Sequence, residues 1–149
     1  MPTEVQWSPA SGVGDLVFAR GLARRTMEPY YTHHGLMWRD EDFDAGWHWR
    51  ENYGLYVAGQ QVGFLSLSVS QDGLALYVRE LHLLEGARGR GHGGCILRAV
   101  FAEARRRHLA AVRLTVFKNN PAQRLYARSG FATVGEEGCF WQMECPVPV

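Results

Sequence analysis

Lysine is nearly missing from this chain. Of its 16 basic residues only Lys118 is a lysine, and 15 acidic residues bring the formal net charge to +1. A nucleic-acid binder normally carries a strong basic excess, so no nucleic-acid partner is expected. Long apolar runs are also lacking, and no segment approaches the roughly 20 residues that a membrane-spanning helix needs. The opening stretch, MPTEVQWSPA, has neither the basic nor the apolar region of a secretory signal. Cysteine is scarce: Cys95, Cys139 and Cys145 are odd in number and share no metal-ligand spacing. His33, His34 and His48 lack such spacing too. These absences together lead to the expectation of a cytoplasmic protein with reduced thiols, no metal and no membrane association.

What remains is an ordinary globular composition. The 149 residues are 46% hydrophobic and 21% charged, which fits one domain over residues 1–149. Glu4–Trp7 reads as a short strand, followed by a turn at Ser8–Gly12. Asp15 reads as the cap of a helix with Leu16, Ala19, Leu22, Ala23 and Met27 on one face, stopped by Pro29. A second helix fits Asp40–Glu51, where Asp40, Glu41 and Asp42 would favour the dipole of the first turn. Trp38, Trp47, Trp49 and Tyr53 read as core packing. The same aromatic and acidic stretch would also suit a cationic acceptor.

Then the period changes. Tyr53–Ala58 and Val62–Ser70 are strand-like, joined at Gly59-Gln60-Gln61. Asp72-Gly73 signals a hairpin before a further run, Leu74–Leu84. After a glycine-rich stretch, Ile96, Leu97, Val100, Phe101 and Ala104 form an apolar helical face, with Glu103 and Arg107 paired at i,i+4. Ala111–Phe117 is another strand. Asn120-Pro121 opens a helix that ends at Gly130. Phe131–Val134 and Phe140–Met143 are closing strands. The order predicts an α/β domain on a mixed sheet.

The stretch GARGRGHGG, residues 86–94, joins a strand to a helix. Helix N-termini carry unpartnered N–H groups and favour anions, and glycines let the backbone approach a phosphate. The bland alternative is a flexible turn. Gly89-x-Gly91-x-x-Gly94 has the spacing of a dinucleotide fingerprint. That fold, however, needs an acid on the ribose about 20 residues on, and none lies between Glu103 and Glu136. No Gly-Lys-Ser/Thr follows, which excludes a P-loop.

Two other runs fit together. Arg88-x-x-Gly91-x-Gly93 follows a strand. Downstream, NNPAQRLYARSGF supplies Asn119, Ala122, Leu125, Tyr126, Gly130 and Phe131. In that order, with a helix and strand between, they resemble the two signatures of the GCN5-related N-acetyltransferase (GNAT) superfamily. The resemblance implies a mixed, mostly antiparallel sheet flanked by helices and splayed between the fourth and fifth strands. It implies acetyl-CoA as donor, without a metal, and direct transfer of the acetyl group to a primary amine of a small-molecule or peptidyl acceptor. A non-catalytic acyl-CoA-binding or sensing module acting through a partner protein is the alternative. A homodimer is a further possibility from the family.

The resemblance also implies roles. Leu81, His82 and Leu83 would pair with pantetheine through their backbone. Arg88, Gly89, Arg90, Gly91, His92, Gly93 and Gly94 would hold the pyrophosphate. Asn119 would reach the pantetheine arm, or simply belong to the turn before the helix. Tyr126 would assist the leaving thiolate, although Ala122, Leu125, Tyr126 and Ser129 also share one helical face and could be packing. A thiol pKa of about 8.5 lies below a tyrosine pKa of about 10, so a hydrogen bond that strengthens as sulfur gains charge is the help expected, not prior proton transfer. Glu80 and His82 alternate along the fourth strand. Glu80 would be the base for the amine, or an arginine's ion-pair partner. Ribosomal N-terminal acetyltransferases of this superfamily place a glutamate just before the asparagine motif; here Leu114 stands there.

Overall fold

The computed structural model describes residues 4–148. Its element order is β1 (Gln6–Pro9), α1 (Val13–His33), α2 (Asp40–Trp49), β2 (Glu51–Val57), β3 (Gln60–Val69), β4 (Ala75–Leu83), α3 (His92–Arg106), β5 (Ala111–Phe117), α4 (Ala122–Arg128), β6 (Ala132–Glu137) and β7 (Phe140–Pro146). A 3-10 turn, Glu85–Ala87, precedes α3. The strands form a seven-stranded sheet in the order β1-β2-β3-β4-β5-β7-β6. β4 and β5 are parallel, whereas β1–β2, β2–β3, β5–β7 and β6–β7 are antiparallel. This is the mixed, mostly antiparallel α/β architecture expected. No helix among the described residues is long and apolar enough to cross a membrane.

The chain groups into two compact units. The first runs through Leu67 and includes Glu80–Arg90; the second comprises Ser68–Arg79 and the chain from Gly91 onward. In the first, Ala19, Leu22 and Ala23 of α1 meet Phe43 and Trp47 of α2 and Phe64 of β3. Burying such aromatic and aliphatic side chains supplies most of the driving force for that unit. In the second, Ile96, Leu97, Val100 and Ala104 form the buried face of α3, and Val112, Leu114 and Val116 are buried on β5. Glu103 pairs with Arg107 at 3.1 Å, as the i,i+4 spacing predicts.

Several boundaries differ from the sequence reading. The first strand is Gln6–Pro9, displaced toward the expected turn. Gly12 precedes α1, and Asp15 sits within its first turn, where Oδ2 accepts the Gly12 N–H at 3.0 Å. Pro29 does not stop α1, which runs on to His33. A proline removes one intrahelical donor, but the last turn is held by Tyr31 edge-on to Trp38, 5.3 Å between centroids. α2 ends at Trp49, because Glu51 already pairs with Leu67 in the sheet. The β2–β3 turn is Ala58-Gly59, with φ of 51° and 80°, the doubly positive geometry that suits a two-residue hairpin. Gln60 and Gln61 therefore belong to β3. Trp49 is not core: it is 57% exposed, with the Arg50 guanidinium over its ring.

The Asp72-Gly73 hairpin forms as expected. Asp72 Oδ1 accepts the Leu74 N–H at 2.9 Å and the Ser70 hydroxyl at 2.5 Å. Its Oδ2 accepts from Arg113 at 2.8 Å, and Arg113 also donates to Glu144 at 2.6 Å. The Ser70 hydroxyl, then Arg113, then the Leu74 N–H hold the Asp72 carboxyl well below its ordinary value of 3.8. A carboxyl depressed in the folded state stabilises fully above its unfolded pKa, and that contribution fades as pH falls toward the folded one. Asp72→Asn should therefore lower stability at neutral pH and reduce the further loss below pH 3.8. Urea denaturation across a pH series checks this, and parallel wild-type and variant curves would contradict it.

Candidate active site

β4 leads through the 3-10 turn into the glycine-rich stretch. The Arg88 side chain is tied to its own unit: Nε donates to the Leu83 carbonyl at 3.0 Å and Nη2 to the Thr26 hydroxyl at 3.2 Å. Gly89 and Gly91 have φ of 72° and 81°, a region that other residues enter at a cost of about 1–2 kcal/mol. Arg90 is exposed. Gly91 then starts α3, accepting the Cys95 N–H at 3.2 Å.

The start of α3 differs from those of the other helices. Among the described residues no side chain caps it, and its first turn holds no acid. α1 has Asp15 there, α2 has Asp40, Glu41 and Asp42, and α4 has Asn120, whose Oδ1 accepts the Ala122 N–H at 2.9 Å. The N–H groups and dipole at α3 thus remain available to an external anion.

Gly93 and Gly94 do not belong to the loop as expected; both lie in the first turn of α3. A Cβ on Gly93 would sit 2.8 Å from Leu125 Cδ2, so this glycine lets α3 approach α4. Gly94 has no such crowding, its nearest neighbour being the Arg98 side chain at 3.6 Å.

α4 opens at Ala122, with Pro121 rather than the expected Asn120 in the cap position, at φ −64° and ψ −15°; Asn120 Oδ1 accepts the Ala122 N–H from one residue further back. Asn119 lies exposed in the turn just before. Tyr126 is half-buried on α4, its ring edge-on to Phe131 at 5.9 Å. Phe131 is buried and lies 5.6 Å from Phe101 of α3. Ring packing thus fixes Tyr126 from one side, while Gly130, with φ of 103°, turns the chain so that Phe131 can return against it.

The β4–β5 pairing stops at Val78↔Leu114, although β4 runs on to Leu83 and β5 to Phe117. Leu81 and Leu83 are half-buried on the continuing part of β4. Glu80 and His82 share a side, as strand alternation predicts, and are bonded: His82 Nε2 lies 2.5 Å from Glu80 Oε2. Glu80 Oε1 also lies 3.6 Å from Arg50 Nη1, so the arginine partner considered for Glu80 exists. His82 is buried and stacks on Phe64, with centroids 5.3 Å apart. Gly63 makes this possible, since a Cβ there would stand 2.0 Å from the His82 carbonyl oxygen.

The predicted residues therefore divide between the units. Glu80, Leu81, His82, Leu83, Arg88, Gly89 and Arg90 belong to the first, and Gly91, His92, Gly93, Gly94, Asn119 and Tyr126 to the second. Arg50 and Phe64 were not legible as site residues. Arg50 follows a helix and Phe64 lies in an apolar strand, and neither position carries a motif. Among the described residues no group of three or more His, Cys, Asp or Glu could hold a metal ion.

The Gly93–Leu125 contact predicts a coupling. Gly93→Ala should destabilise the protein by roughly 1–3 kcal/mol through overpacking, and by clearly less in a Leu125→Ala background. Denaturant unfolding of the two single variants and the double variant measures this; strictly additive losses would contradict the contact.

Residues 20–131 match the acetyltransferase (GNAT) family. No curated protein is similar enough in sequence to match. Among solved structures, the chain resembles PaiA N-acetyltransferase from Thermoplasma acidophilum in complex with coenzyme A, with a TM-score of 0.72 at 15% identity over 97% of this chain and 99% of that one. It resembles the ribosomal-protein-S18-alanine N-acetyltransferase from Escherichia coli, with a TM-score of 0.72 at 20% identity over 97% and 95%. N-acetylglutamate synthase from Neisseria gonorrhoeae, complexed with coenzyme A and N-acetyl-glutamate, gives 0.76 at 18% identity, over 97% of this chain but 35% of that one. At these identities the structures speak for the fold. The family match spans both signature runs, the stretch that opens α3 and the α4 segment with Tyr126, and this chain belongs to the acetyltransferase (GNAT) family.

Proposed function

We propose that this chain transfers an acetyl group from acetyl-CoA directly to a primary amine of a small-molecule or peptidyl acceptor. The observation that carries the reading is the start of α3: uncapped, free of acids, and opened by a left-handed Gly91 inside the family match. Such a terminus suits a pyrophosphate held by backbone N–H groups. The coenzyme A named in two of the similar structures agrees with this. The reading treats residues 1–149 as one catalytic domain, because the family match runs across both units.

In this reading the N–H groups from Gly89 to Gly94 take the pyrophosphate, with Arg90 and Arg88 adding positive charge. The Arg88 side chain contributes more as a tether, given its bonds to Leu83 and Thr26. Backbone groups of Leu81, His82 and Leu83 and the Asn119 side chain serve the pantetheine arm. Glu80 accepts a proton as the amine nitrogen attacks the thioester carbonyl. The C–S bond then breaks, its electrons pass to sulfur, and the Tyr126 hydroxyl stabilises the departing thiolate.

Thiol release from acetyl-CoA with a panel of primary amines tests the reading. Amine-dependent release is expected. Saturable coenzyme A binding with no release across the panel would point to the acyl-CoA-binding or sensing role instead. For a confirmed acceptor, Tyr126→Phe should lower kcat on the order of tenfold or more and leave coenzyme A affinity unchanged. Wild-type turnover across the pH range would reduce Tyr126 to a packing residue.

A further inference from the structure

Each carboxylate oxygen of Glu80 faces a polar neighbour. Oε2 faces His82 Nε2 at 2.5 Å, and Oε1 faces Arg50 Nη1 at 3.6 Å. Among the described residues these are the charged and titratable groups against it, Arg50 from just after α2 and His82 from its own strand. Glu80 itself keeps 21% of its side-chain surface exposed, whereas His82 keeps 7%. A buried imidazole is costly unless bonded, and an apolar ring would fill the same space against Phe64 without that cost. Packing therefore explains the ring of His82 but not its nitrogens.

We infer that His82 is a positioning residue for Glu80, fixing the carboxylate for proton acceptance. A carboxylate that is to accept a proton has none to donate, so in the positioning role Nε2 is the donor of this bond. The imidazole is fixed in turn. Phe64 stacks on it at 5.3 Å, and Phe64 packs against Phe43 at 6.1 Å and Trp47 at 6.2 Å. Orientation thus passes from the aromatic residues of α2 through Phe64 and His82 to the carboxylate. When Glu80 takes the amine proton, an N–H bond breaks and an O–H bond forms, and His82 neither gains nor loses a proton overall. Arg50, just after α2, faces the other oxygen at ion-pair distance.

This inference rests on the proposed acetyl transfer with Glu80 as base, and its test separates the two. The first measurement needs no turnover: nitrogen NMR of the His82 imidazole in the unliganded protein should show the Nε2-protonated tautomer and a shift in Glu80→Gln. Kinetics follow with a confirmed acceptor. His82→Phe keeps a ring and loses the donor; His82→Gln restores a donor near Nε2 that does not titrate. His82→Phe should keep a near-wild-type melting temperature, lose kcat by about tenfold or more, and shift the acidic limb of the pH–rate profile. His82→Gln should recover most of that loss. In a Glu80→Gln background, His82→Phe should cause little further loss. An Nδ1-protonated imidazole, a wild-type pH profile in His82→Phe, or fully additive losses in the double variant would each overturn the positioning role. If His82→Phe fails to fold, the His82→Gln profile and the NMR shift decide alone. Absence of any amine-dependent turnover would instead sink the acetyl-transfer reading, with the tautomer still measurable.

Discussion

One parallel pair of strands governs the arrangement of this chain. Antiparallel neighbours can be joined by tight turns, as β2 and β3 are through Ala58-Gly59. A parallel neighbour requires a crossover of a dozen or more residues. β4 and β5 are such a pair, and the crossover between them contains the glycine-rich stretch and α3. The N-terminus of α3 must therefore follow the end of β4. The pairing itself lapses after Val78↔Leu114, so the rest of β4, with Glu80 to Leu83, has no register with β5. The glycine-rich stretch and the start of α3 thus lie within the connection that the parallel pair requires.

Three glycines do three different jobs around these features. Gly91 supplies the left-handed turn into α3. Gly93 has no unusual φ and is needed because Leu125 lies where its Cβ would be. Gly63 permits the contact with the His82 carbonyl that brings Phe64 onto the imidazole. Counted as loop glycines the first two look equivalent, yet one is a conformational requirement and the other a packing requirement.

Much of this was legible in the sequence. The strand-like runs of β3 and β5, the apolar stripe of α3 and the Asp72-Gly73 turn are local signals with local causes, and each formed near its expected place. Pro29 misled because the local rule was outweighed by packing of the last turn of α1, where Tyr31 meets Trp38. Gly59-Gln60-Gln61 misled because Ala58, an unusual residue for positive φ, took the first turn position. At the site, the spacing of Glu80 and His82 foretold a shared side. Arg50 and Phe64 could not be found this way, since what places them beside Glu80 and His82 is tertiary contact across distant stretches of chain.

The central claim is that the start of α3 receives the pyrophosphate of coenzyme A. Amide NMR titration tests it most directly, comparing coenzyme A with pantetheine, which lacks the pyrophosphate. Coenzyme A should move the N–H resonances of residues 91–95 in a saturable way, while pantetheine should leave them nearly unchanged. Saturable binding of coenzyme A with those amides unmoved would contradict the account.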